Sequence, residues 1–237
     1  SVQKVVFLDA DVIVLKGIES LLTDAVGESS VHAVQDMSIP YIDSGRGLRN
    51  FRDCGCYLQS AVGIKGWGHY HLDPCAKYFN TGVMVVDVPR WKSDGLEDRI
   101  VDFIRRHKHN NQCFDQDGFN AVLSRQWGEL DLRWNQIALF FRYPSYRQSP
   151  FSEEEYNRIR HDPYIVHFVA ASKPWHWGCR HPQRGLFFKY LDRTSWRGRR
   201  PDFLSTLSTR GALLLRNMRN VFIAMDESRR DRNVFAR

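Results

Sequence analysis

Two acids separated by a single alanine, Asp9-Ala10-Asp11, interrupt an otherwise apolar and β-branched run from Val5 to Val14. Such a run reads as one strand buried on both faces, and a buried strand does not carry two carboxylates without compensation. Side chains alternate along an extended chain, so Asp9 and Asp11 would project to one side while Ala10 points away. The pair is then a two-pronged oxygen site for a hard cation, Mg²⁺ or Mn²⁺, which keeps waters or phosphate oxygens in its remaining positions. The same spacing equally suits a strand end whose acids cap the next element, because short acid-x-acid matches are frequent.

The elements around this pair read as an alternation. A turn and short helix are expected over residues 16–22 and a strand over 31–36. Residues 38–77 form a long irregular excursion rich in Gly, Ser, Asp and aromatics, a length that in compact domains is usually functional or mobile. A buried strand follows over 78–87, entered through the polar step Asn80-Thr81-Gly82. Leu96, Ile100, Phe103 and Ile104 recur at helical spacing and predict an amphipathic helix over 95–107. Asp115-Gln116-Asp117 opens a further helix, with acids in its first turn and Phe119, Val122 and Leu123 on its apolar face. Residues 130–134 and 164–168 are strand candidates, the second carrying His167 near its end. Strands alternating with helices predict an α/β layered fold with a mainly parallel sheet and flanking helices.

A chain of 237 residues can bury a substantial core. It is read as one domain over residues 1–200 followed by a basic amphipathic tail over 201–237. A formal net charge of +7 asks for an anionic partner: phosphate, acidic lipid or nucleic acid. From Arg193 onward every basic residue is arginine, interleaved with Leu204, Leu207, Leu213, Leu214, Leu215, Met218, Val221, Phe222 and Met225. Such a tail either lies on an anionic membrane surface or packs on the domain with its arginines in water. The five cysteines, at 54, 56, 75, 113 and 179, show no zinc-type pairing, so free thiols in a reducing compartment are expected. A cytoplasmic location follows, with the tail peripheral at the inner face of the membrane. No apolar stretch reaches the ~18 residues of a transmembrane helix. No pattern of an RNA-recognition, KH or zinc-finger module is present, so nucleic acid is not an expected partner. A core strand so close to Ser1 needs neighbours, and an N-terminal portion of the natural protein is expected upstream.

Five motifs in order resemble glycosyltransferase family 8: Phe7-Leu8-Asp9-Ala10-Asp11, Phe79-Asn80-Thr81-Gly82-Val83-Met84-Val85, Asp115-Gln116-Asp117-Gly118-Phe119-Asn120, Leu132-Arg133-Trp134-Asn135, and His167-Phe168 followed by Lys173-Pro174-Trp175. The similarity is nearest to bacterial members that build lipopolysaccharide or other surface glycans, and more distant to glycogenin. It implies a GT-A-type fold and transfer of a hexosyl unit, with retention, from a UDP-sugar donor to a saccharide or glycolipid acceptor. It also implies a metal, Mn²⁺ or Mg²⁺, held by Asp9, Asp11 and His167. Asn80, Thr81, Gly82, Ala170 and Lys173 are implied donor-binding residues, Lys173 at the diphosphate. Asp115 would accept from the donor sugar, Gln116 would sit near the reactive carbon, and Asp117 is an alternative carboxylate. An amide is a poor nucleophile, which favours departure and attack on one face, with the leaving phosphate deprotonating the acceptor.

Two departures accompany the resemblance. Family members commonly have glycine where this chain has Ala170, and alanine narrows the backbone angles available for a close diphosphate contact. The family also places about two nucleotide-binding βαβ units before the acid pair. Lacking them, the chain would keep the metal and sugar half of the site without the base half, and a non-catalytic sugar-nucleotide or glycan-binding fragment is the alternative reading.

Overall fold

The apolar run at the N-terminus does not form one strand. In the computed structural model, which describes residues 2–25, 27–107, 113, 115–169 and 172–201, it breaks at the acids into β1 (Lys4–Leu8) and β2 (Val12–Val14). The two strands belong to different sheets. The Asp9 N–H donates to the Gly82 carbonyl and the Phe168 N–H to the Asp11 carbonyl, each at 2.9 Å, so each acid is tied to a different neighbour. Val5 and Phe7 are 40% and 46% exposed. β1 is therefore covered on one face only, which corrects the expectation of a strand buried on both.

The chain divides into two compact units, Ser1–Val169 and Ala170–Arg237. In the first, the order continues through α1 (Glu19–Asp24), β3 (Val31–Gln35), the short helices α2 (Ser44–Gly47) and α3 (Phe51–Cys54), β4 (Phe79–Asp87), α4 (Val88–Ser93), α5 (Leu96–His107) and α6 (Asp115–Val122). It closes with β5 (Gly128–Glu129), β6 (Gln136–Ile137), α7 (Glu153–His161) and β7 (Ile165–His167). One sheet has the order β1-β4-β3-β5 and the other β2-β7-β6.

β1–β4, β3–β4 and β2–β7 pair antiparallel, whereas β3–β5 and β6–β7 pair parallel. The sheets are mixed, not mainly parallel. The reason lies in the connections: α4, α5 and α6 all fall between β4 and β5, which run in opposite directions on either side of β3. Residues 130–134 are not a strand either. The Asp131 side chain accepts from the Arg133 N–H at 3.0 Å and starts a 3₁₀ turn over Leu132–Asn135, leaving only Gly128–Glu129 to pair with β3.

Alternate residues of β3 and β4 feed two cores. Val34, Val83 and Val85 pack with Leu21, Leu130, Trp134 and Ile165, while Ala33 and Met84 pack with Leu96, Ile100 and Leu123 of the helical layer. α5 carries Glu97 and Asp98 in its first turn and Arg105 and Arg106 in its last, each sign facing the favourable end of the helix dipole. α6 lies close against it because Gly118 has no side chain; a Cβ there would come within 2.9 Å of Ile104 Cδ1. α7 begins at a capping box formed by Ser152 and Glu155.

The second unit contributes α8 (Arg184–Leu191). The Arg184 guanidinium donates to the Pro174 carbonyl at 3.1 Å, and the Trp175 and Phe187 rings lie 5.4 Å apart. Trp175 is 45% exposed, whereas Trp134 in the first unit is fully buried. No helix among the described residues is long and apolar enough to cross a membrane. All five cysteines are free thiols. The arginine-rich tail beyond Pro201 lies outside the described residues.

Candidate active site

β1, β2, β4 and β7 bring their ends to one place. Asp9 and Asp11 occupy the break between β1 and β2, and His167 closes β7, which pairs with β2 so that Val12 stands opposite His167. His167 Nε2 lies 3.2 Å from Asp11 Oδ1 and 3.4 Å from Asp9 Oδ2. One ligand atom from each of the three residues falls within 4.8 Å of the others. The His167 side chain is 3% exposed, while Asp9 at 43% faces the outside. Burial works against a charged imidazole, but hydrogen bonds to Asp11 and Asp9 and their charges outweigh it and hold His167 above the usual histidine value.

The donor set fits a cation. Two carboxylate oxygens and one imidazole nitrogen suit Mn²⁺ and Mg²⁺ in character, and three protein ligands leave positions for substrate oxygens. The backbone is shaped to match. A Cβ at position 82 would overlap the His167 ring and stand 2.8 Å from Asp9 Oδ2, so glycine is required for the triad to close. The register between β3 and β4 jumps at this step, from Ala33↔Met84 to Val34↔Asn80. Asn80-Thr81-Gly82 is thus both a bulge and part of the site, and the bulge aims these residues at the triad.

Behind the triad lies a buried polar network. The His167 Nδ1 is 2.9 Å from Asn135 Oδ1, and Asn135 Nδ2 donates to Asn80 Oδ1 at 2.9 Å. Asn80 Nδ2 donates to Asp36 Oδ2 at 3.0 Å, and Gln116 Nε2 donates to the same oxygen at 3.3 Å. Gln116 Oε1 accepts from the Thr81 N–H at 3.2 Å. Gln116 is seated by Asn120, whose Nδ2 donates to the carbonyls of Gln116 and Phe79 and whose Oδ1 accepts from the Phe79 N–H. α6 is in this way bolted to the start of β4.

Asp9, Asp11, His167, Asn80, Thr81, Gly82 and Gln116 therefore belong to one assembly. Asp115 is exposed at the first position of α6. Asp117 is 1% exposed and accepts from the Tyr78 hydroxyl at 2.6 Å and the Cys113 N–H at 3.1 Å. Burial, together with Asp117, pushes both the Tyr78 hydroxyl and the Cys113 thiol up, the thiol to about 11, so both stay protonated near neutrality. Lys173 belongs to the second unit, where its N–H donates to His176 Nδ1 at 3.2 Å. Ala170 lies outside the described residues.

Asp36 and Asn135 escape sequence reasoning as members of this assembly. Asp36 reads as the last residue of a strand, although Asp36-Met37-Ser38 carries the signal of a side-chain-capped turn: Asp36 Oδ1 accepts from the N–H of Ser38 and of Ile39 at 2.7 and 3.0 Å. An acid capping a turn at the end of an apolar strand is one that can be buried and shared.

A family model described as glycosyl transferase family 8 matches residues 1–179. The chain belongs to glycosyl transferase family 8. It is 30% identical over 205 residues to General stress protein A of Bacillus subtilis (strain 168), covering 83% of this chain and 61% of that protein. It is 23% identical over 203 residues to the lipopolysaccharide glucosyltransferase WaaO of Escherichia coli (strain K12), covering 82% of this chain and 50% of that one. Among solved structures, the galactosyltransferase LgtC in complex with donor and acceptor sugar analogs superposes with a TM-score of 0.61 at 18% identity, covering 82% of this chain and 62% of that chain. The glycosyltransferase GlyE of Streptococcus pneumoniae TIGR4 gives 0.55 at 19% identity, covering 83% and 41%. The fold is that of the GT-A glycosyltransferases, and the chain spans less than two thirds of the length of these relatives.

Proposed function

We propose that this chain is a metal-dependent retaining hexosyltransferase that moves a sugar from a UDP-hexose to a saccharide or lipid-linked acceptor. The convergence of Asp9, Asp11 and His167 beside the Asn80–Gln116 network, in a chain of family 8, carries this reading. Mn²⁺ or Mg²⁺ at the triad would supply Lewis-acid stabilisation of the charge that gathers on the departing diphosphate. The protein residues do the rest. Asp9 and Asp11 would hold the ion through carboxylate oxygens and His167 through Nε2, in its neutral form. Asn80 and the bulged Thr81-Gly82 backbone line the sugar pocket beside the triad. Gln116, held by Asp36 and Asn120, offers a fixed amide to the donor sugar near the reacting carbon. An amide does not form a stable covalent sugar adduct, so retention is assigned to attack on the face from which the diphosphate leaves.

Asp115 stays in the set as an acceptor for the donor sugar, and Asp117 is assigned to seating α6 through Tyr78. Lys173 and Ala170 stay in the donor-binding set on their motif alone. The catalytic domain is proposed to run over residues 1–200, with 201–237 as a basic tail that meets an anionic membrane surface from the cytoplasmic side.

The test is release of UDP from UDP-glucose and UDP-galactose by the full chain in the presence of Mn²⁺. Release is expected for at least one donor, falling by about 10²-fold or more in Asp9→Ala and Asp11→Ala, a loss typical of removing a main electrostatic contact. Binding of UDP without release in the wild type would make the chain a sugar-nucleotide-binding module instead.

A further inference from the structure

The buried amides between Asp36 and His167 all point one way, and the direction is dictated at Asp36. A carboxylate only accepts. Its Oδ1 takes the Ser38 N–H and hydroxyl at 2.7 Å each and the Ile39 N–H at 3.0 Å, and its Oδ2 faces the amides of Asn80 and Gln116. Asn80 must therefore turn its NH₂ to Asp36 and its Oδ1 the other way. The Gly82 N–H, which only donates, meets that Oδ1 at 3.0 Å and requires the same orientation. Asn135 must then turn its NH₂ to Asn80 at 2.9 Å and its own Oδ1 to His167 Nδ1, also at 2.9 Å. An amide oxygen demands a proton on Nδ1. Nε2, pointed at Asp9 and Asp11, is the nitrogen left to lend a lone pair.

We propose that Asp36 is a positioning residue that sets the tautomer of His167 through Asn80 and Asn135, reserving Nε2 for a divalent cation. The inference rests on the metal reading of the triad. Without the relay, two carboxylates at Nε2 would draw the ring's single proton to that nitrogen, and the ring could not ligate. Asp36, Asn80, Asn135 and His167 are 3%, 8%, 1% and 2% exposed, so a reversed amide in the chain would leave two buried donors facing each other. The same Asp36 oxygen orients Gln116, turning its Oε1 to the Thr81 N–H. One acceptor thus aligns both the metal-facing histidine and the glutamine of the sugar pocket.

The experiment is titration of the full chain with Mn²⁺ alone, by calorimetry, for the wild type, Asp36→Asn, Asn135→Ala and the double variant. In Asp36→Asn the new NH₂ would face the amides of Asn80 and Gln116, so the relay loses the acceptor that anchors it and the orientation of Asn80 rests on the Gly82 N–H alone. Each single variant is expected to raise the Mn²⁺ Kd by about 10- to 100-fold, the usual cost of losing the partner that orients a ligating histidine. The double variant is expected to be no weaker than Asn135→Ala, because Asp36 acts through Asn135; independent structural effects would multiply. In parallel, ¹⁵N spectra of the Mg²⁺-saturated protein are expected to show a hydrogen-bonded Nδ1–H on His167, lost in Asn135→Ala. Should Asp36→Asn fail to fold, Asn80→Ala cuts the relay at its middle while Asp36 keeps Ser38, Ile39 and Gln116, and the same loss is expected. Folded variants that bind Mn²⁺ within about twofold of the wild type, or losses that multiply in the double variant, overturn the relay and leave the metal reading standing. A wild type that does not bind Mn²⁺ removes both.

Discussion

Position 82 shows how narrowly this site is drawn. The hydrogen-only side chain is not there to free the backbone; it vacates the volume that the His167 ring and the Asp9 carboxylate fill. In Gly82→Ala the methyl group must push the imidazole away from the carboxylates, an overpacking that costs about 1–3 kcal/mol. Thermal unfolding is expected to report that modest loss, while Mn²⁺ affinity falls by about tenfold or more; unchanged affinity would mean that the ring does not occupy the position described. That Asp9, Asp11 and His167 come together was legible from the order of the motifs, because each stands in a conspicuous run. Asp36 and Asn135 were not. Their roles come from contacts across 44 and 55 residues of sequence to Asn80, and no local spacing reports a partner at that distance.

Among the elements, α5 follows from the spacing of its apolar residues and β3, β4 and β7 from their largely apolar, buried runs, while α6 lies where it was expected but buries Gln116, Asp117 and Asn120 beside Ala121. The two failures have different causes. The Val5–Val14 run divides because the Asp9 N–H is taken by Gly82 and the Asp11 carbonyl by Phe168, in different sheets, whereas at residues 130–134 the Asp131 side chain caps a 3₁₀ turn that overrides β propensity. Asp131 illustrates the energetics. Burial pushes its carboxyl up, but the Arg133 side chain and N–H, with Arg158, outweigh this and hold it below the usual carboxylate range. A depressed folded value means that its contribution to stability is complete above the unfolded aspartate value of about 3.9 and is lost as pH falls through the folded value. Asp131→Asn is therefore expected to destabilise the protein by about 1 kcal/mol at pH 7, allowing for solvent screening, with the difference vanishing in the most acid denaturation curves. A difference that persists unchanged to the acid end would assign the loss to turn geometry and not to charge.

For the molecule as a whole, strand and helix alternation identified the α/β class but not the direction of the strands. Direction depends on which neighbour each strand takes, and the helices α4 to α6 are gathered into one connection instead of being spread over several βαβ crossovers. The net charge of +7 has a use consistent with an anionic donor and, through the arginines from Arg193 onward, with an anionic surface. Sedimentation with vesicles rich in phosphatidylglycerol is expected to pull the full chain down at low salt and release it at high salt; equal recovery with zwitterionic vesicles would argue against a charge-driven membrane contact. All of the proposed chemistry converges on one ion held by residues from opposite ends of the first unit. Crystals grown with Mn²⁺ and UDP, and measured at the manganese absorption edge, locate that ion without reference to activity. The expected anomalous peak lies in bonding contact with Asp9, Asp11 and His167 Nε2; a clear UDP with no manganese at those three residues, or manganese bound elsewhere on the chain, would contradict the assignment.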